Sequence, residues 1–131
     1  MKAHLLLADA ATAHQDNTFS LLRGGISNLN VPKNRPCGFK GSLVARIVAD
    51  RGEAGPHEFK VKCVTEDGGS ILPEATATFE IPQAGGSVHL VLDMQLIFPK
   101  PGRYEFSITV DKHQMDSLPF DVIEVSEGAH A

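Results

Sequence analysis

The sequence predicts an all-β fold: a two-sheet antiparallel sandwich of about eight strands, immunoglobulin-like or C2-like. Three observations predict it. Apolar residues recur with a period of two along most of the chain, most clearly at Val88, Leu90, Leu92, Met94, Leu96 and Phe98. That spacing places one side of a strand against a core. Breakers punctuate the runs at Gly24-Gly25, Pro32 and Pro36, Gly52 to Pro56, Gly68-Gly69, Pro82 to Gly86, and Pro99 to Gly102, which are turn signals between short elements. No segment sustains the 3.6 period of an amphipathic helix, and only Ala8 to Asn17 could hold a helical turn.

Strands are expected over 3–9, 19–30, 40–50, 57–66, 74–81, 87–98, 103–111 and 117–125. Leu5 to Leu7 open the first. That apolar run faintly mimics a signal peptide, but it is shorter than the ~7–15 residues such a segment needs, and Asp9 interrupts it. The second contains Gly24-Gly25. In the third, Leu43, Ala45, Ile47 and Ala49 share a face while Val44 and Val48 add apolar groups to the other. The fourth carries Phe59, Val61 and Cys63, and the fifth Ala75, Ala77, Phe79 and Ile81. The sixth and seventh are read as a hairpin through Pro99 to Gly102, with Tyr104, Phe106, Ile108 and Val110 on the buried side of the second arm. The last holds Leu118, Phe120 and Val122, with a bulge near Ile123. Residues 1–125 are read as one sandwich domain and 126–131 as a frayed tail.

The chain has 131 residues, seven Phe, no Trp and a net charge of −4. That length supports one core without staples. The acidic balance argues against a nucleic-acid binder, and no run approaches the ~20 apolar residues of a membrane-spanning helix. Two cysteines, Cys37 and Cys63, without a CxxC or a zinc spacing, read as free thiols in a reducing cytoplasm. Cys63 falls on a core face. Cys37 is placed in a loop, where Arg35 and Lys40 could activate its thiol.

Three segments carry a resemblance: Leu6-Leu7-Ala8-Asp9-Ala10-Ala11, Gly24-Gly25-Ile26-Ser27-Asn28-Leu29-Asn30-Val31-Pro32, and Phe98-Pro99-Lys100-Pro101-Gly102-Arg103-Tyr104-Glu105-Phe106. With them the chain resembles a small family of uncharacterised bacterial β-sandwich proteins, a domain of unknown function. The third segment also resembles hairpins of immunoglobulin-like and fibronectin-like domains. The resemblance implies fold, bacterial origin and cytosolic residence, and no activity.

Loops between strands that each cross the sandwich once must alternate between its two ends. One end then collects Lys33, Arg35, Lys40, Lys100 and Arg103, with Glu66, Asp67 and Glu74 nearby. This is either a basic lip for an anionic partner or a solvated, internally neutralised surface. The other end collects His14, His57, His113, Asp50 and Asp111, the donor types of a metal site but without ligand spacing. His4 and His89 lie on strands and are read as solvent-facing or satisfied in place. Gly-x-Ser-x-Gly and phosphate-cradling glycine loops are absent.

The leading expectation is therefore a non-catalytic binding module with a protein partner, a second copy of the chain among the candidates, and no cofactor. Apolar groups on both faces of the third and sixth strands, among them Val44, Val48, Val91 and Ile97, fit a covered surface. The alternatives are a metal-dependent protein or enzyme using the His/Asp end, and a structural assembly subunit.

Overall fold

The computed structural model describes residues 1–33, 36–73 and 76–125. Among these residues it contains nine strands: β1 (Lys2–Ala13), β2 (Phe19–Gly24), β3 (Asn28–Pro32), β4 (Cys37–Ala49), β5 (Gly55–Thr65), β6 (Thr76–Ile81), β7 (Gly86–Phe98), β8 (Gly102–Val110) and β9 (His113–Val125). A single 3-10 turn spans Arg51–Glu53. The strands form two sheets, ordered β2-β1-β4-β7 and β3-β9-β8-β5-β6. The all-β, two-sheet expectation holds. Residues 126–131, read as a tail, and Arg35 and Glu74 lie outside the described residues.

The alternating side chains meet between the sheets. Phe120 of β9 packs against Phe39 of β4 and Phe98 of β7, with ring centroids 5.4 Å apart in each case, and against Phe106 of β8 at 5.7 Å. Phe98, Phe106 and Phe120 are fully buried, as are Leu7, Leu43, Ile47 and Ile108. Such aromatic pairs add roughly 0.5–1.5 kcal/mol each beyond the area they bury. Tyr104 joins the cluster through Phe98 and donates its hydroxyl to the Lys100 carbonyl at 2.5 Å, so its polar tip is satisfied inside.

Several local expectations are corrected. β7 and β8 are not a hairpin: they belong to different sheets, and Pro99 to Gly102 is an arch between the layers. Alternation reports which side of a strand is buried, and both sides of this arch face one core. Pro99 and Pro101 have no N–H for a ladder. Gly102, with φ +150°, takes the turn that starts β8. The hairpin partner of β8 is β9, through Asp111 and Lys112, both with positive φ.

The 19–30 strand is two strands. β2 ends at Gly24, and Gly25 at φ +86° redirects the chain so that β3 crosses to the other sheet. There β3 runs parallel to β9, the exception to an otherwise antiparallel ladder. The irregularity in β9 lies at Met115, opposite Ile108 and Thr109, rather than near Ile123. Cys37 is no loop residue: it opens β4, pairs with Phe98 and is buried. Cys63 is fully buried in the core, as expected, and burial pushes its thiol up to about 12.

The first strand is longer than expected and doubles back. Its first half pairs with β4 as far as Ala8 opposite Ser42. A straight course would continue toward Cys37. Instead the β1–β2 hairpin returns over the outer side of its sheet, and its tip reaches the far end, where the Asn17 side-chain amide donates to the Ser87 carbonyl at 2.7 Å. Ser87 lies opposite Val48. Phe19 then packs edge-on against His89, with centroids 4.7 Å apart. Val44 and Ala8, on that outer side and apart from the main core, are buried. The apolar second face of β4 is thus covered in part by the chain itself, while Val48 and Ile97 remain exposed.

The two long sides of the sandwich differ. On one, the Leu5 N–H of β1 donates to the Asp116 carboxylate of β9 at 2.7 Å, which seals that edge. On the other, the six-residue β6 faces the 13-residue β7, and Val88, Leu90, Leu92 and Met94 point inward yet are only half-buried. Phe120→Ala is expected to lower unfolding free energy by about 3–5 kcal/mol in chemical denaturation, because Phe39, Phe98 and Phe106 lose their shared partner. Leu22→Ala, at a 66% exposed position, is expected to change it by less than about 0.5 kcal/mol.

Candidate functional site

The loop ends sort as the sequence predicts. The turn at Arg51–Glu53, the β6–β7 turn, the β8–β9 turn and the tip of the β1–β2 hairpin share one end. The hairpin tip arrives there because β1 doubles back. The β7–β8 arch and the turn around Asp67 share the other end with Lys33.

At the first end, His57 and Asp111 form the only tight pair among the five metal-ligand candidates in the described residues. His57 Nδ1 lies 2.5 Å from the Asp111 carboxylate, and Nε2 lies 2.6 Å from the Glu53 carbonyl. Asp111 also accepts the Glu58 N–H at 3.0 Å. Both imidazole nitrogens are therefore engaged, and the pair pins the 3-10 turn to the β8–β9 turn. The Asp111 carboxylate, and then the Glu53 carbonyl, raise the His57 pKa; the imidazole, then the Glu58 N–H, lower that of Asp111. His113 contributes a weaker pull on Asp111. His14 is exposed and bonded to Ser20 Oγ at 2.7 Å, and the Asp50 N–H donates to Glu53. Among the described residues, no three His, Cys, Asp or Glu side chains gather closely enough to hold a metal ion.

The basic candidates point in different directions. Lys40 alternates with buried Phe39, which puts it on the outer side of the β1–β4 sheet. Arg103 alternates with buried Tyr104 on the outer side of the other sheet, and grips Asp121 at 2.9 and 3.2 Å. That carboxylate raises the Arg103 pKa and lowers its own. Lys100 shares a small depression with Glu66, Asp67 and Arg103. Lys33 stands beside the end of β9, where its N–H donates to the Val125 carbonyl.

The surface that sequence reasoning passed over is the outer edge of β7. Among the described residues no strand pairs with it. The other edge strands are short: β2 has six residues and positive φ at Arg23, β3 has five and ends at Pro32, and β6 has six. β7 runs in unbroken register with β4 from Gly86 to Phe98, without Pro, Lys or Arg. Its ionisable residues are His89 and Asp93. Beside it an apolar cleft of about 230 Å³ opens between the sheets, lined by Phe59, Val61, Leu72, Pro73, Leu92 and Met94 among others. On its outer side His89 lies under Phe19 with both ring nitrogens buried and unpartnered among the described residues, so the expectation of a satisfied or solvent-facing His89 is corrected. The sequence signal was present in the length of this strand and its apolar groups on both faces.

Fold and surface together define a β-sandwich with one long edge strand, β7, that no other strand pairs among the described residues and that the Asn17 side chain touches only near its start, at the Ser87 carbonyl. The chain belongs to a family of unknown function (DUF6941), whose profile matches residues 3–123. No curated protein sequence matches it. Among solved structures, a Pseudomonas fluorescens alkylpurine DNA glycosylase, AlkC, bound to DNA containing an abasic site analog, is similar at 14% identity and a TM-score of 0.36. The alignment covers 93% of this chain and 30% of that one, so the chain spans under a third of the glycosylase. No helix among the described residues is long and apolar enough to cross a membrane.

The His57–Asp111 pair makes stability depend on pH. The raised His57 stabilises the fold fully below its ordinary value of about 6.5, and that stabilisation is lost as pH rises through the raised value. The lowered Asp111 stabilises above about 3.9 and fails as pH falls through its lowered value. Wild type is therefore expected to exceed His57→Gln in melting temperature most between about pH 4 and 6.5, with the gap narrowing by pH 9. Equal gaps at pH 5.5 and 9 in a thermal melt would show that His57 is not charged in the pair.

Proposed function

We propose that this domain is a non-catalytic interaction module that binds a protein partner along the edge of β7. One observation carries the reading: β7 is long, in unbroken register with β4 and without the lysines, arginines, prolines or bulges that guard natural edges, and it stands beside a half-open apolar cleft. An added strand would gain main-chain hydrogen bonds from the edge, and alternate side chains would enter the cleft. The paired His57 and the Asp121-bound Arg103 favour this surface over the loop ends. Two buried, unpaired cysteines support residence in the cytoplasm.

A tagged pull-down from native extract tests the site with three variants. Val91→Lys places a guarding charge on the edge, and Gln95→Lys does so at an already exposed position. The third combines Lys33→Glu, Arg35→Glu and Lys100→Glu. The expected result is a partner captured by wild type and by the charge-reversed variant and lost, at least tenfold, from both edge variants. A partner lost only from the charge-reversed variant would place the site on the basic loop end instead.

A further inference from the structure

Resting on the β7 reading, we propose that the partner of this edge is a second copy of the chain, paired β7 to β7, antiparallel, about a two-fold axis through Val91. The axis stands perpendicular to the sheet, so the inward sides of both strands stay on one side. Directly opposed residues must then both point inward or both outward, because side chains alternate along each strand. The inward set is Val88, Leu90, Leu92 and Met94, and the outward set includes His89, Val91 and Asp93. Every register with the axis on a residue satisfies this rule, so charge selects among them.

With Val91 opposite Val91, Asp93 of each copy lies opposite His89 of the other. Leu90 then faces Leu92, and Val88 faces Met94. The only two ionisable groups of the strand become two complementary pairs related by symmetry, and opposed residues have Cβ atoms roughly 4.5–5.5 Å apart. Shifting the axis to Asp93 would set carboxylate against carboxylate, which destabilises a sheet pair. Shifting it to Leu90 or Leu92 would leave both groups opposite uncharged residues. The favoured register also addresses two features of the single chain. The buried His89 nitrogens lack a partner among the described residues, and a turn of the ring toward the edge brings one N–H to the Asp93 carboxylate of the copy, one oxygen of which already accepts from Ser42 Oγ at 2.6 Å within its own chain. The half-buried inward row on β7 becomes continuous with its copy, which removes apolar surface from water on both sides of the axis.

Sedimentation of the purified full chain across roughly 1–200 μM tests the proposal. The expected species has twice the 14.1 kDa mass of the chain, and Val91→Lys, which sets two ammonium groups face to face, returns it to the single mass. Cross-linking reads the register without asking a bulky variant to fold. Val91→Cys is expected to form an intermolecular disulfide on oxidation, since the two Cα atoms lie within the roughly 4.4–6.8 Å such bonds require. Ser87→Cys, whose opposite residue is Gln95, is not. Wild type at the single mass throughout would overturn the proposal, as would a dimer untouched by Val91→Lys or cross-linking of Ser87→Cys as fast as Val91→Cys. A single-mass wild type whose captured partner is still lost from the edge variants would end self-pairing while leaving the β7 binding reading intact.

Discussion

The packing of Phe120 against Phe39, Phe98 and Phe106 joins the two sheets, and most of the architecture follows from it. Phe120 comes from β9 and Phe106 from β8, while Phe39 and Phe98 come from β4 and β7 in the other layer. With no Trp in the chain, these rings supply the largest buried pieces of core. Interiors are close-packed, so rings that must touch across the layers dictate where each strand can lie. The arch at Pro99 to Gly102 turns the chain from one layer to the other beside this cluster, and the Tyr104 hydroxyl on the Lys100 carbonyl holds that arch closed.

A sandwich organised around one end-weighted aromatic cluster does not cover every apolar side chain equally. Where β9, β8 and β4 overlap, Phe106, Phe120, Ile108 and Leu43 are completely buried. At the β6–β7 side the shorter strand runs out, and the inward row of β7 is left half-covered. The opposite side has a different solution: the Asp116 carboxylate takes an N–H from the first half of β1, and the β1–β2 hairpin folds back to shield Val44 and Ala8. The chain thus places its extra residues over one sheet's outer face and one of its sides, and among the described residues no strand pairs with the edge on the other side. That asymmetry, rather than any loop chemistry, distinguishes this surface from the rest of the molecule.

The polar candidates illustrate why residue type and loop end are not enough to define a site. His57 and Asp111 do meet, and their meeting consumes both imidazole nitrogens in a structural pin. Lys40 and Arg103 sit one position away from buried aromatics, so strand alternation turns them onto opposite outer faces of the sandwich. Arg103 is further committed to Asp121, its neighbour across the β8–β9 ladder. Convergence of side chains requires common direction as well as common end, and direction is set by strand parity together with the layer each strand joins.

The sequence by itself determined what depends on local chemistry. The period of two marked the strands and their buried faces, Gly and Pro marked their ends, and the crossing rule placed the loops at two ends. The free, buried state of Cys63 also followed from its position on an apolar face. Tertiary structure alone decided which strands pair. Alternation is identical for a hairpin and for an arch, so β7 and β8 could not be told apart from partners, and a glycine pair inside a strand does not announce that the chain changes layers at Gly25. Nor does an apolar second face say what covers it: Val44 lies beneath the chain's own hairpin, while the inward row of β7 is half-covered because the facing β6 is short. Pairing and coverage are long-range choices, made by ring packing between residues far apart in the chain, and no local pattern encodes them.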